Sequence, residues 1–208
     1  MSDRMLIQLK NFQVLSRGSG LALNSPLNLN ILAGTVNLLK GKNGIGKSSL
    51  VQALVSKNRN SSAIFRGTYH RTADLDFVVH PQISAPMFAL PLRLADILAW
   101  SDSLSEAGLL ILGDVDLERS WDSCSGGERQ RILLASIFNE RFFSNKKPTL
   151  LILDEPMNHL DFQSQRNLVE AIKIWMSQWH ERSVLIVSHE DLKGLESHIH
   201  VLSDVDQE

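Results

Sequence analysis

Residues 41–48 read GKNGIGKS, set between the apolar run VNLL at 36–39 and the run SLVQALV at 49–55. An extended apolar segment, a glycine-rich turn and a helical run in that order predict a strand, a loop and a helix. Gly41, Gly44 and Gly46 can adopt backbone geometries closed to other residues. Successive N–H groups can then turn inward onto phosphate oxygens at a helix N-terminus. In such a loop Lys47 neutralises the β- and γ-phosphates and the Ser48 hydroxyl ligates Mg²⁺. A glycine-rich turn with a solvated lysine would not require the strand, the full motif and the helix together.

Outward from the loop, the runs at 27–32, 36–40, 77–79, 150–153 and 184–187 read as strands. Several are too apolar for a sheet with one wet face, which predicts a central sheet covered on both sides. Helical periodicity appears at 47–55, 92–100, 127–138 and 163–179, the last placing Leu168, Ile172, Trp175 and Trp179 on one face. Alternating strands and helices predict an α/β fold. Between about residues 86 and 143 the strand signal fades, so one domain over 1–208 is expected, with an α/β core at 1–85 and 144–208 and an inserted helical subdomain at 86–143.

The balance of 21 Lys and Arg against 23 Asp and Glu gives a net charge of −2, so no global field favours nucleic acid or an anionic membrane. The single cysteine, Cys124, cannot form an intrachain disulfide, and no Cys/His run has zinc-ligand spacing, which fits a reducing cytosol. The start, MSDRMLIQLKNF, lacks a secretory pattern, and no stretch approaches the ~20 apolar residues of a membrane span.

Two further runs carry chemistry. LLILDEP at 150–156 is an apolar strand ending in adjacent carboxylates. Alternation along a strand sends Asp154 and Glu155 to different sides, which suits Asp154 to a Mg²⁺ ion and Glu155 to accepting a proton from an attacking water. SCSGGERQR at 123–131 opens a helix with a hydroxyl and two glycines, a second anion site built from Ser125 and the Gly126 and Gly127 amides. Ordinary capping by Ser125 with Glu128 as its capping-box partner explains the same residues and is compatible with that role.

Together these runs resemble the nucleotide-binding domain of the ABC ATPase superfamily. GKNGIGKS looks like its Walker A loop, CSGGERQR its signature motif and LLILDEP its Walker B strand. The resemblance covers nearly the whole chain and implies a P-loop core, mostly parallel, with an N-terminal antiparallel part. It implies ATP held by Gly41, Lys42, Asn43, Gly44, Ile45, Gly46, Lys47, Ser48 and Ser49, and Mg²⁺ near Ser48, Gln82 and Asp154. It makes Gln82 the Q-loop glutamine, Asp161 of the MNHLD run a D-loop residue aligning a partner subunit, and His189 of IVSHE the switch histidine beside the γ-phosphate. Glu155, His189 and Gln82 are then the catalytic set. In that family two domains pack head to tail, so Ser125, Gly126, Gly127 and Glu128 would serve the ATP of a second copy.

The sequence departs from the pattern in three places. Cys124 stands where a leucine is usual and is read as a small hydrophobe. No aromatic ring occupies the expected adenine position near Ser16 and Arg17; Phe12 is the nearest, and the Arg17 guanidinium offers another stacking plane. The interval from Lys47 to Asp154 is short, which argues against the long coiled-coil insertion of chromosome-structural relatives. The leading expectation is therefore the ATPase subunit of an ABC transporter, peripheral on the cytoplasmic side of a separate membrane permease. The apolar segment 86–100, with Met87, Phe88, Leu90, Leu92 and Leu94, could receive a permease helix; Ala95, Leu98 and Ala99 at helical spacing read as lobe core. The alternative is a soluble ABC-type ATPase acting on nucleic acid or ribosomes, which the small lobe and acidic balance disfavour. A slow or inactive regulator is opposed by Glu155 and His189.

Overall fold

In the computed structural model, residues 4–16, 19–56, 64–80, 82, 92–99, 103–189 and 193–203 are described. Among them the chain forms two units, one from residues 1–81, 147–155 and 181–208 and the other from 82–146 and 156–180.

The first unit is built on two sheets. β1 (Met5–Leu15) pairs antiparallel with β2 (Leu27–Leu32) and β4 (Ile64–Arg71), in the order β2-β1-β4. β2 alternates strictly, burying Leu27, Leu29 and Ile31 and exposing Asn28 and Asn30, because one face of this sheet meets water. The second sheet is parallel and has the order β5-β6-β7-β3-β8, from β3 (Val36–Lys40), β5 (Asp76–His80), β6 (Thr149–Asp154), β7 (Arg182–Val187) and β8 (His198–Val201). Every residue of β6 and β7 is buried, as an interior parallel strand covered on both faces requires. The α1 helix (Lys47–Val55) packs Leu50, Val51, Ala53 and Leu54 into a core shared with Leu39, Leu150, Ile152, Leu185 and Val187. The expected α/β class, parallel sheet and N-terminal antiparallel part are all present.

The second unit is helical: α2 (Leu94–Leu98), α3 (Glu106–Leu112), α4 (Gly126–Ile137), α5 (Glu140–Ser144) and α6 (Phe162–Ser177), with a 3-10 turn at Trp121–Ser123. In α6 one apolar stripe, Leu168, Val169, Ala171, Ile172 and Trp175, is buried, and Trp175 stacks on Phe142 at 4.9 Å. Asn167 donates from Nδ2 to the Leu110 carbonyl at 3.0 Å, tying α6 to α3. The helical unit thus draws on two stretches of chain, where a single inserted span at 86–143 was expected; α6 joins it because its apolar stripe packs there. In α2 the buried positions are Leu94 and Ile97, whereas Ala99 is exposed and Ala95 and Leu98 are half-buried. The expected core stripe of Ala95, Leu98 and Ala99 is therefore out of phase, and Leu94 is core rather than docking surface. Met87, Phe88 and Leu90 lie outside the described residues, as does Arg17.

Candidate functional site

Parallel strands deliver their carboxyl ends to one edge of a sheet, where ligands of α/β folds bind. Here β3, β7 and β6 are neighbours in the sheet, and the loop at 41–48, His189 and the pair Asp154–Glu155 follow their ends in turn. The juxtaposition comes from topology, since these residues are far apart in sequence.

In the loop, Gly44 has φ 83° and Gly46 φ 96°, left-handed geometry that strains other residues. Gly41 has no such torsion. A Cβ there would lie 3.0 Å from Ile45 Cγ2 and 3.1 Å from Leu202 Cβ, so it is a glycine for space and not for its torsion. Gly46 caps α1 without any side-chain bond, leaving the first-turn amides of the helix to meet an anion. Lys42 and Asn43 are exposed and Ile45 is buried beneath them. Lys47 is only 8% exposed and donates from Nζ to the carbonyls of Gly41 at 2.7 Å and Lys42 at 3.1 Å. An ammonium has three donors, so these bonds hold it under the loop with one donor remaining for a phosphate oxygen.

The Ser48 hydroxyl donates to Asp154 Oδ2 at 3.0 Å. A hydroxyl and a carboxylate at this separation are hard oxygen donors of the kind Mg²⁺ takes from a protein while phosphate and water complete its shell. The donor set therefore fits the ion. β6 ends at Asp154; Glu155 turns to φ 49°, donates its N–H to the Val187 carbonyl at 2.8 Å and is 7% exposed. The two carboxylates are separated by this turn and not by simple strand alternation, which was the sequence expectation. His189 Nδ1 lies 3.1 Å from Glu155 Oε2 and 3.3 Å from Oε1, with 55% of its side chain exposed. The arrangement can steady a carboxylate and leave the rest of the imidazole facing outward.

The helical unit carries the other candidates. Ser125 caps α4, accepting from the Glu128 N–H at 3.2 Å while Glu128 accepts from the Ser125 N–H at 2.8 Å. That backbone donor holds the Glu128 carboxyl below its ordinary range, and Arg119 pairs with it at 2.5 Å. The capping reading thus holds, and Ser125 and Gly126 are still exposed. A Cβ on Gly127 would meet the His159 carbonyl oxygen at 2.7 Å. Gln130, to which the sequence reading gave no role, donates from Nε2 to the Pro156 carbonyl at 3.1 Å. A polar residue half-buried on a helix was its signal. Asp161 caps α6 by accepting from Ser164 N–H at 2.7 Å, a donor that lowers its pKa. Gln82 is exposed. The Cys124 thiol is buried, its pKa raised by desolvation, and lies 3.3 Å from the Ser120 carbonyl, as expected of a packing residue.

Phe12 is fully buried and stacks on Phe65 at 4.8 Å with Tyr69 edge-on at 6.5 Å. It is core, which removes it as an adenine partner. Among the described residues no helix is long and apolar enough to cross a membrane.

No protein-family model matches the chain. The zinc import ATP-binding protein ZnuC of Mannheimia succiniciproducens is 33% identical over 193 residues, covering 89% of this chain and 67% of that protein. ZnuC of Acinetobacter baylyi is 32% identical over 158 residues, 73% of this chain and 56% of the relative. The chain thus matches little more than half of that protein's length. The hemin import ATP-binding protein HmuV of Photobacterium damselae is 28% identical over 211 residues, 91% of this chain and 77% of that one. Among solved structures, a Pyrococcus furiosus protein described as an ABC transporter ATP-binding protein superposes with a TM-score of 0.65 at 18% identity, covering 93% of this chain and 96% of its own. An ATP-bound bacterial Atm1-family ABC exporter gives 0.63 at 20% identity, over 98% of this chain and 38% of that one.

Proposed function

The chain belongs to the family of ATP-binding subunits of ABC transporters, and from that premise we propose that it binds and hydrolyses ATP to drive a separate membrane permease. The single observation that carries the catalytic part is the contact of His189 Nδ1 with the buried Glu155 carboxylate at 3.1 Å, at the same sheet edge as Lys47 and Ser48. Residues 41–49 hold the phosphates through loop amides and the Lys47 ammonium. Ser48 and Asp154, joined in the family's pattern by Gln82, would hold Mg²⁺, which would supply positive charge to offset that of the phosphates. Glu155 accepts the proton of the attacking water, and His189 fixes the orientation of that carboxylate while reaching toward the γ-phosphate.

The helical unit, drawn from residues 82–146 and 156–180, supplies the signature lobe. Ser125, Gly126, Gly127 and Glu128 of one copy complete the ATP site of a second copy, and Asp161 aligns the two in a symmetric dimer that closes on ATP. The protein is accordingly peripheral on the cytoplasmic face of a membrane, held by its permease. The named relatives import zinc and hemin, and a metal or metal chelate is the cargo class this reading favours.

Replacement of Glu155 by Gln keeps the shape and removes the base. It should retain ATP binding, lower turnover by 10²-fold or more and trap an ATP-bound dimer. Undiminished phosphate release by the purified variant would remove Glu155 from this role.

A further inference from the structure

The α6 helix buries its own stripe within the helical unit, yet its first residue, Phe162, is 70% exposed, the highest value for a large hydrophobic side chain among the described residues. Single exposed apolar side chains are common, so exposure alone decides nothing. Position does. Phe162 follows Asp161, the exposed cap of the same helix, and three residues earlier the His159 ring lies 3.4 Å from where a Gly126 Cβ would stand. Ser125, Gly126, His159, Asp161 and Phe162 are each exposed. Ser125, Gly126, His159, Asp161 and Phe162 therefore share one exposed strip within one unit, with Leu160 buried beneath it and Phe162 its one large apolar side chain. Within the helix the ring is met by Arg166, whose guanidinium carbon lies 6.0 Å from the ring centroid, a cation–π contact one turn along. The aromatic is thereby oriented without being covered.

We propose that Phe162 is an apolar anchor by which the ATP-loaded protomer grips a second copy of this chain. The inference rests on the reciprocal-site reading, because the strip that ends in Phe162 begins at Ser125, the residue which that reading turns toward the second copy. Aromatic anchors beside a polar rim are the side chains on which association most depends. In a two-fold dimer the same ring acts twice, so one substitution removes two contacts.

The test uses the Glu155→Gln protein, whose dimer is not consumed by turnover, and follows its mass by sedimentation with saturating ATP and Mg²⁺. Phe162→Ser in that background should raise the dimer dissociation constant by roughly tenfold per protomer, on the order of a hundredfold in all. Phe162→Leu should restore most of it, and monomer affinity for a fluorescent ATP analogue should be unchanged in both, which excludes misfolding as the cause. If the parent dimerises and Phe162→Ser dimerises equally well, the anchor is refuted while the reciprocal sites stand. The same holds if Phe162→Ser spares the dimer but loses co-sedimentation with membranes containing the permease, which would assign the ring to that partner. If the Glu155→Gln parent stays monomeric with ATP at every concentration, the reciprocal-site reading falls and the anchor with it.

Discussion

Gly126 and Gly127 are adjacent in sequence, and both open α4, yet the structure separates their reasons for being glycine. A Cβ on Gly127 would lie 2.7 Å from the His159 carbonyl oxygen, where ordinary contact begins near 3.4 Å. The loop would have to retreat by about 0.7 Å, and it is pinned by the Gln130 bond to Pro156 and by the buried Leu160. Overpacking of this kind costs about 1–3 kcal/mol, offset by up to ~1 kcal/mol from the better helix propensity of alanine. Gly127→Ala should therefore destabilise by about 1–2 kcal/mol. On Gly126 the same Cβ would meet His159 Cγ at 3.4 Å, an ordinary contact, so Gly126→Ala should be neutral or slightly stabilising. For a chain of this size the difference corresponds to about 2–8 °C in Tm, measured by thermal unfolding of the two variants side by side without nucleotide. Equal midpoints would refute the close-approach argument. Loss of ATP turnover in a fully stable Gly126→Ala would then be a ligand effect, separable from folding.

Two further predictions concern burial. His80 is 2% exposed, neither ring nitrogen meets a hydrogen-bond partner among the described residues, and desolvation lowers its pKa from the ordinary 6.5 to about 4. Between those values the unfolded chain takes up a proton that the folded chain refuses, so stability is full above 6.5 and falls as pH drops toward 4. Up to about 3 kcal/mol is at stake, and urea unfolding across this window should show a shallower slope for His80→Leu. Phe12→Leu should cost roughly 1–2 kcal/mol through the lost stacking on Phe65 and leave ATP affinity unchanged, as a fluorescent-nucleotide titration would read; weakened binding in a folded variant would return Phe12 to the adenine site.

The interior strands and the longer helices were legible because their signals are local. The apolar runs 150–153 of β6 and 184–187 of β7 and the periodic α6 declare themselves without reference to the rest of the chain. β1 was not legible, since its alternation loses phase at Asn11, whose φ of 48° accompanies a shift of register against both β2 and β4. α3 carries Gly108 in its interior, which reads as a helix breaker. A Cβ there would lie 2.5 Å from the Phe138 carbonyl, so packing overrides propensity. β8 has four residues, three of them exposed, and exists through its ladder to β3. The loop at 41–48 was legible as a motif, but the separate reasons for Gly41 and Gly46 depend on Leu202 and on a torsion that sequence does not display.

Glu155 shows where a correct assignment can rest on an incomplete reason. Strand alternation would send it away from Asp154, but a residue continuing β6 would simply enter the layer opposite, with no cause to meet His189. What brings it there is the turn to φ 49°, which costs a non-glycine residue on the order of 1–2 kcal/mol. The turn is held from two sides: the backbone N–H bonds to Val187, and two residues further along that same strand end the side chain meets His189. Both restraints come from β7 and its exit, the element that separates β3 from β6 in the sheet. A strained carboxylate fixed by the strand between the phosphate loop and its own strand cannot relax without disturbing that neighbour. Its position is therefore set by the order of strands, which is why the chemistry of this edge depends on a topology that motif spacing does not contain.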